Sequence, residues 1–140
     1  MGGINMSEES EILKKLVVEE KDITKELEEL VEDASKYFRI EKQSGKIIFR
    51  DFGSLTDKQR IAIVLLGKYF ASKLGITNDA SMGIVEIAKE LGRPKTTLSG
   101  NIKELVKSGY VEHLPGRRYR ITYHRIKEML DKLLSKKSEQ

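Results

Sequence analysis

The amino-acid sequence predicts an α+β fold that is mainly helical. Apolar residues recur at helical spacing over most of the chain. Two shorter stretches instead alternate apolar and polar residues on either side of a glycine-containing turn. With 140 residues, of which 39% are hydrophobic, the chain is long enough for one domain with a modest core.

The composition excludes several classes of protein. The sequence has no cysteine, which rules out disulfides, thiolate metal sites and cysteine nucleophiles, and it has only two histidines. The longest apolar run, Ile61 to Leu66, is far shorter than the roughly 20 residues of a membrane-spanning helix. We therefore expect a cytoplasmic protein with no membrane partner.

The N-terminal third is predicted to contain helix followed by a β-hairpin. Residues 1–7 are small or polar without periodicity, and we expect them to be disordered. In residues 8–54, apolar side chains from Ile23 onward follow a heptad pattern. They belong either to one helix of about 30 residues or to two helices broken near Lys21, with Asp22 as N-cap. Residues 38–41 and 47–50 then flank a turn in which Gly45 supplies a positive φ.

A buried central helix is predicted next. Thr56 and Gln59 have the spacing of a capping box, which starts a helix that runs to Leu74 and ends at Gly75. Apolar residues occupy much of its circumference. Gly67 lies inside it, and we expect this glycine to permit the close approach of another helix.

Residues 83–122 contain the most informative pattern. A short amphipathic helix begins at Ile84 and ends at Gly92-Arg93-Pro94, and a second helix follows over residues 95–107. Two short helices joined by a tight turn with glycine are typical of a helix-turn-helix. Residues 110–114 and 118–122 then alternate around Pro115-Gly116-Arg117, which predicts a second hairpin with the length of a wing.

The charge distribution adds a functional indication. Residues 1–55 carry 9 basic and 13 acidic side chains, whereas the remainder carries 17 basic and 9 acidic, so the net charges are −4 and +8. A basic half is typical of nucleic-acid binders, because neutralised phosphates release counterions. Many basic faces are merely solvated, so charge alone leaves both interpretations open.

The segment IAKELGRPKTTLS at 87–99, followed by IKEL at 102–105 and GYV at 109–111, resembles a known family. It is similar to the winged helix-turn-helix of small prokaryotic, especially archaeal, transcriptional regulators. The resemblance covers residues 55–122, and residues 123–140 follow as a C-terminal helix and tail. It implies that helix 95–107 enters the major groove of DNA and that the 111–121 hairpin contacts the backbone or the minor groove.

Candidate DNA contacts follow from this resemblance and from residue chemistry. Threonine and serine hydroxyls suit phosphates or base edges, and lysines suit phosphates or guanine. Gly100 stands where such regulators often have arginine, so we expect sparse base reading. The wing arginines are the strongest candidates for backbone contact, with a solvated edge-strand pattern as the alternative. The candidates are Lys95, Thr96, Ser99, Gly100, Lys103, Lys107, Arg117, Arg118 and Arg120.

The two ends of the chain predict a homodimer. Residues 123–137 read as a helix with Thr122 as N-cap, and both terminal helices carry more apolar surface than we expect a chain of this size to cover. Pairing of the two helices within one chain is the alternative. The candidate dimer residues are Leu16, Ile23, Leu27, Leu30, Ile126, Leu130, Leu133 and Leu134.

Taken together, these features predict a double-stranded DNA-binding transcriptional regulator that acts by occupancy. We expect no catalytic residue, cofactor or metal, because phosphate loops, nucleophile elbows and metal-ligand spacings do not occur in the sequence. Two other functions remain open: a winged-helix protein-interaction module of the transcription or replication apparatus, and an RNA-associated winged helix.

Overall fold

A computed structural model describes residues 20–135, with side chains from residue 25 onward. The chain divides into two compact units at the boundary between Glu32 and Asp33. The expectations for residues 1–19 and 136–140, including the role of Leu16, lie outside the described residues.

The described residues form an α+β fold that is mainly helical, as predicted. Helix content dominates, and the strands are short and antiparallel. In chain order the elements are α1 (Glu20–Ala34), β1 (Phe38–Ile40), β2 (Ile47–Phe49), α2 (Asp57–Lys73), β3 (Met82–Gly83), α3 (Ile84–Leu91), α4 (Lys95–Lys107), β4 (Val111–Leu114), β5 (Arg118–Ile121) and α5 (Ile126–Met129).

Helix α1 corrects one detail of the sequence interpretation. Lys21 and Asp22 both lie inside the helix, so Asp22 is not its N-cap; the choice between one helix and two depends on residues before Glu20, which lie outside the described residues. Leu27 and Val31 lie four residues apart on this helix and are 44% and 47% exposed. Within its own unit, α1 therefore presents apolar side chains to solvent.

The first hairpin forms where the sequence predicts it. Strands β1 and β2 pair antiparallel, with Phe38 opposite Phe49 and Ile40 opposite Ile47. Gly45 has a φ of +75°, the left-handed conformation that the turn requires. Phe38 and Ile47 are buried, so this hairpin contributes to the core.

Helix α2 is the central helix of the fold. The capping box is present: the Gln59 backbone N–H donates to the Thr56 hydroxyl at 3.2 Å, and the Thr56 N–H donates to Gln59 Oε1 at 2.9 Å. Residues 61–66 are at most 1% exposed, and α2 packs against α3, α4, β1 and β5. The helix is buried nearly all round, which explains its lack of a single apolar face.

The expectation for Gly67 was wrong. A Cβ at this position would collide with the Ile47 side chain of β2 and would also crowd Phe38 of β1. The glycine therefore makes room for side chains of the first hairpin and not for a second helix.

Helices α3 and α4 are joined by the predicted tight turn. Gly92 caps α3 in the left-handed conformation, with a φ of +66°. Leu98, Ile102 and Leu105 of α4 are at most 1% exposed, and burial of each such side chain stabilises the fold by about 1.5–3 kcal/mol. Because these residues fix one side of α4 in the core, its opposite side faces solvent.

The second hairpin belongs to a three-stranded sheet of order β3-β5-β4. Strands β4 and β5 pair as predicted, with Val111 opposite Ile121 and Glu112 opposite Arg120. Strand β3 was not predicted; it places Met82 opposite Tyr119 and Gly83 opposite Arg118. This arrangement is compatible with a winged helix.

The C-terminal segment is less regular than expected. It begins with a 3₁₀ turn at Tyr123–Arg125, continues through α5 and ends in a π turn at Leu130–Leu134. Thr122 occupies the N-cap position as predicted, but its side chain makes no capping hydrogen bond. The Gln59 side chain donates to the Leu133 carbonyl at 3.0 Å and so satisfies a backbone group near the end of the segment.

Candidate nucleic-acid interface

Six predicted contact residues lie together on the solvent side of α4. We call this set the α4 face. Gly100 has open space around it, with nothing within 4 Å of where a Cβ would sit. The five other residues are exposed as well. The Ser99 hydroxyl donates to the Thr96 carbonyl at 3.5 Å. The α4 face consists of Lys95, Thr96, Ser99, Gly100, Lys103 and Lys107.

The lysines of the α4 face are electrostatically available. None of Lys95, Lys103 and Lys107 forms an ion pair among the described residues. The acidic residue on the same helix, Glu104, is engaged by Lys58 of α2 at 3.0 Å. The positive charge of this surface is therefore not neutralised from within the described part of the chain.

An ion pair joins the turn between α3 and α4 to the start of α2. Asp57 Oδ1 accepts from Arg60 at 3.1 Å and from Arg93, in the turn between α3 and α4, at 3.3 Å. Arg60 also donates to the Phe52 carbonyl from two nitrogens, at 2.8 and 3.1 Å, with its guanidinium over the Phe52 ring. The buried Arg60 therefore holds Asp57 in place. Asp57 in turn binds Arg93 in the turn that precedes α4, and this contact helps to orient α4.

The wing arginines differ sharply from the lysines of α4. Arg118 donates to the Ser81 hydroxyl at 2.7 Å, to the Ser81 carbonyl at 2.8 Å and to Glu86 at 2.9 Å, and it lies 3.3 Å from Asp79. We call Asp79, Ser81, Glu86 and Arg118 the wing anchor. Arg118 therefore ties β5 to the segment before α3 and to α3 itself, which is a positioning role.

The acidic members of the wing anchor are fixed in turn. Asp79 accepts from the Ser81 N–H at 2.8 Å and from its hydroxyl at 2.7 Å. These two hydrogen bonds lower the pKa of Asp79, the backbone one most, and the nearby Arg118 charge lowers it further. Glu86 also accepts from the Gly83 N–H at 3.2 Å. Hydrogen bonds thus connect both acidic members of the wing anchor to the backbone or the side chain of the same segment.

The other two wing arginines have different surroundings. Arg120 pairs with Glu112 across the strands, at 2.6 and 2.9 Å, in an exposed position. Arg117 is exposed at the hairpin tip, has a φ of +60° and forms no ion pair among the described residues. A positive φ in a non-glycine residue costs about 1–2 kcal/mol. Of the three arginines, Arg117 alone has a charge that no described acidic side chain balances.

The candidate dimer residues also separate into two groups. Leu27 is exposed and Leu30 is half-buried, whereas the side chain of Ile23 lies outside the described residues. Ile126, Leu130 and Leu134 are at most 3% exposed in the single chain, and Leu133 is half-buried. The expectation of an uncovered C-terminal stripe was therefore wrong, because one chain already buries it.

The sequence patterns predicted neither the partners of Arg118 nor strand β3, which lies between them in the chain. Asp79-Ala80-Ser81 has the composition of a turn in which an aspartate side chain binds backbone N–H groups two residues on. Glu86 follows Gly83 by three residues, which is the spacing of a capping residue at the start of α3. That signal indicates a local turn, but it does not indicate that a distant arginine completes it.

No family model, curated protein or solved structure matches the chain. Within the described residues, no helix has both the length and the apolarity to cross a membrane.

Proposed function

We propose that the protein binds double-stranded DNA as a winged helix-turn-helix transcriptional regulator. The observation that carries this proposal is the α4 face: an exposed side of the second helix, with hydroxyls and three lysines that lack an ion pair among the described residues. The net charge of +8 after residue 55 supports it. The protein acts in the cytoplasm by occupying its site and performs no chemistry.

In this mode α4 lies in the major groove. Lys95, Lys103 and Lys107 contact phosphates or guanine, while Thr96 and Ser99 reach base edges near the start of the helix. Arg117 contacts the backbone from the wing tip. Arg118 contributes indirectly, because it holds β5 in place.

Sequence discrimination is modest. Most of the expected contacts are to phosphate groups. Such contacts fix the register of the protein on the duplex but carry no sequence information. Gly100 presents no side chain to a base. We expect a ratio of specific to random-site affinity near the lower end of the usual range, about 10³ to 10⁷.

The direct test is fluorescence anisotropy with a labelled duplex of random sequence at low salt. We expect saturable binding that unlabelled duplex displaces more effectively than an RNA hairpin of equal length. Absence of binding contradicts the proposal, and stronger displacement by the hairpin favours the RNA-associated alternative.

We also propose that the protein is a homodimer held through α1. The support is that Leu27 and Val31 remain exposed on one helix face, whereas the C-terminal stripe is already buried. Two-fold symmetry would place two α4 helices about 34 Å apart, in successive major grooves. Light scattering at micromolar concentration should give twice the 16.0 kDa chain mass.

The variant Leu27→Glu with Val31→Glu should give a monomer. Lys25→Glu, which adds negative charge to an exposed position of the same helix, is the control and should leave the dimer intact. A wild-type monomer at this concentration, or a dimer that survives the double variant, contradicts an α1 interface.

A protein-interaction module of the transcription or replication apparatus is the second candidate. The ion pairs of Arg118 and Arg120 favour it, because they occupy two of the three cations of the wing. The anisotropy experiment separates the two candidates, since this alternative predicts no saturable binding of duplex even at low salt.

A further inference from the structure

A groove with a volume of about 400 Å³ lies between the first hairpin, α2 and α3. Each element contributes one lysine to its lining: Lys46 from the hairpin, Lys68 from α2 and Lys89 from α3. We call it the lysine groove. It is not part of the α4 face, and none of the sequence patterns above pointed to it.

The acidic side chains of the lysine groove are already engaged. Glu86 Oε1 accepts from Arg118 at 2.9 Å and from the Gly83 N–H at 3.2 Å. Glu90 Oε1 accepts from the backbone N–H of Ile47 at 3.2 Å. Glu90 therefore joins α3 to the first hairpin, whereas Glu86 is bound to residues outside the groove lining, and both have partners other than the groove lysines.

The three lysines have no ion pair among the described residues. Lys68 helps to lower the pKa of Asp79 electrostatically, but the two side chains form no salt bridge. Three lysines thus line one concave surface together with two carboxylates, and neither carboxylate forms an ion pair with them among the described residues. Such a surface attracts an anion with several acceptor oxygens.

Apart from Ser44 and Gly45 of the hairpin turn, the remaining lining is apolar. Ile47, Val64 and Met82 are buried residues of the core that form the floor of the groove. A volume of about 400 Å³ falls within the range of small-molecule sites, about 300–1,000 Å³. The combination of an apolar floor and a cationic rim is suited to a molecule with an apolar body and a phosphate group.

We infer that the lysine groove binds a small phosphorylated molecule, with the phosphate between the three lysines and the apolar body on Ile47, Val64 and Met82. The inference does not depend on DNA binding. It has a structural consequence, because Glu86 lines the groove and also holds Arg118 of the wing. An occupant therefore places its charge next to the residue that anchors β5.

The test is a titration of the full chain followed by two-dimensional amide NMR, with phenyl phosphate, inorganic phosphate and phenol as probes. Phenyl phosphate should cause saturable shifts in the amide resonances of residues 44–47, 68 and 89–90. Inorganic phosphate should bind the same residues more weakly, because it lacks the apolar body, and phenol should bind more weakly because it lacks the charge.

Removal of two lysines should weaken binding selectively. In Lys68→Ala with Lys89→Ala, we expect the affinity for phenyl phosphate to fall by at least about tenfold. Lys42→Ala, at an exposed lysine outside the groove, is the matched control and should leave it unchanged. Circular dichroism of each variant checks that the fold is retained.

Three results would overturn the inference. The first is an absence of saturable shifts up to millimolar phenyl phosphate. The second is an equal loss of affinity in Lys42→Ala. The third is that duplex DNA shifts the same resonances and that Lys68→Ala with Lys89→Ala loses as much affinity for duplex as for phenyl phosphate. That result would make the groove part of a DNA-binding surface. Failure of duplex binding by itself leaves the inference intact.

Discussion

The α4 face and the wing both carry the basic residues that the sequence marks as DNA contacts, but they use their charges differently. On α4, three lysines extend into solvent without an ion pair among the described residues. On the wing, Arg118 and Arg120 are held by acidic partners and only Arg117 is not. Two basic clusters of similar appearance in the sequence thus differ in the charge that they offer to a ligand.

The difference shows what determines the availability of a surface charge. Side-chain direction follows from helix or strand periodicity, and both regions obey it. Whether a basic side chain is available to a ligand depends on whether an acidic side chain already pairs with it. At the wing, the acidic partners come from β4, from α3 and from the segment before β3. Under the proposed function we therefore expect DNA contact mainly from α4, whereas Arg118 supports the position of β5.

The largest effect should come from the α4 lysines. Replacement of Lys95, Lys103 and Lys107 together by alanine should lower the affinity for any duplex by about a hundredfold or more, because each lysine neutralises a phosphate. Thermal unfolding should stay near that of wild type, since these side chains are exposed and have no ion pair to lose among the described residues. Anisotropy titration measures the first effect, and an unchanged affinity would remove α4 from the interface.

A gain of function should follow from Gly100→Arg. The position has open space, and arginine stabilises a helix interior relative to glycine by about 0.5–1 kcal/mol. A bidentate arginine–guanine contact provides about 1–3 kcal/mol of discrimination between bases. Selection from a random library should therefore yield a sharper, guanine-containing consensus than for wild type. Gly100→Ala is the control for helix stability alone, and an equal change in consensus in that variant would contradict base contact here.

Substitutions of two wing arginines should have different effects, one on stability and the other on DNA binding. Arg118→Ala should lower the free energy of unfolding by about 1–2 kcal/mol, because the hydrogen bonds to Ser81 and Glu86 are lost from a partly exposed site. Arg117→Asn should leave stability nearly unchanged, since asparagine tolerates a positive φ. In this variant, the slope of the log association constant against log salt should become shallower by about two units for the dimer, because each protomer loses one phosphate contact. The reverse pattern in denaturant melts and salt titrations would contradict the division of roles.

The smallest effect concerns acid pH. The pKa of Asp79 is lowered in the folded state by hydrogen bonds from Ser81, so ionised Asp79 stabilises the fold above its unfolded pKa of about 3.9. This stabilisation should disappear as the pH falls through the lower, folded pKa. In Asp79→Asn, the free energy of unfolding should therefore decrease less between about pH 5 and pH 2 than it does in wild type. Urea melts over this pH range measure the difference. An identical acid profile for the variant and wild type would show that Asp79 does not stabilise the wing anchor.

Local patterns in the sequence predicted most of the elements, because their signals lie within a few residues. The Thr56–Gln59 capping box, the Gly45 turn and the inward side of α4 all formed as predicted. Non-local contacts were not predictable in this way. The collision partner of Gly67 is Ile47, and the partners of Arg118 lie more than 30 residues away in the chain.

The apolar stripes at the two ends of the chain illustrate the same limit. Leu27 and Leu130 have similar periodic contexts in the sequence, yet Leu27 is 44% exposed and Leu130 is 3% exposed. Periodicity identifies a face that needs cover, but it does not identify what covers it. The lysine groove is a third example, because its three cations come from segments that are far apart in the sequence.

The measurement that tests the central claim most directly is duplex binding at a series of salt concentrations, with wild type and the triple α4 lysine variant side by side. For a dimer that makes about 6 to 10 phosphate contacts, the logarithm of the wild-type association constant should fall against log salt with a slope of about −5 to −9. The triple variant should have a distinctly shallower slope. Salt-independent association, or equal slopes for the two proteins, would contradict the proposal that α4 binds DNA through Lys95, Lys103 and Lys107.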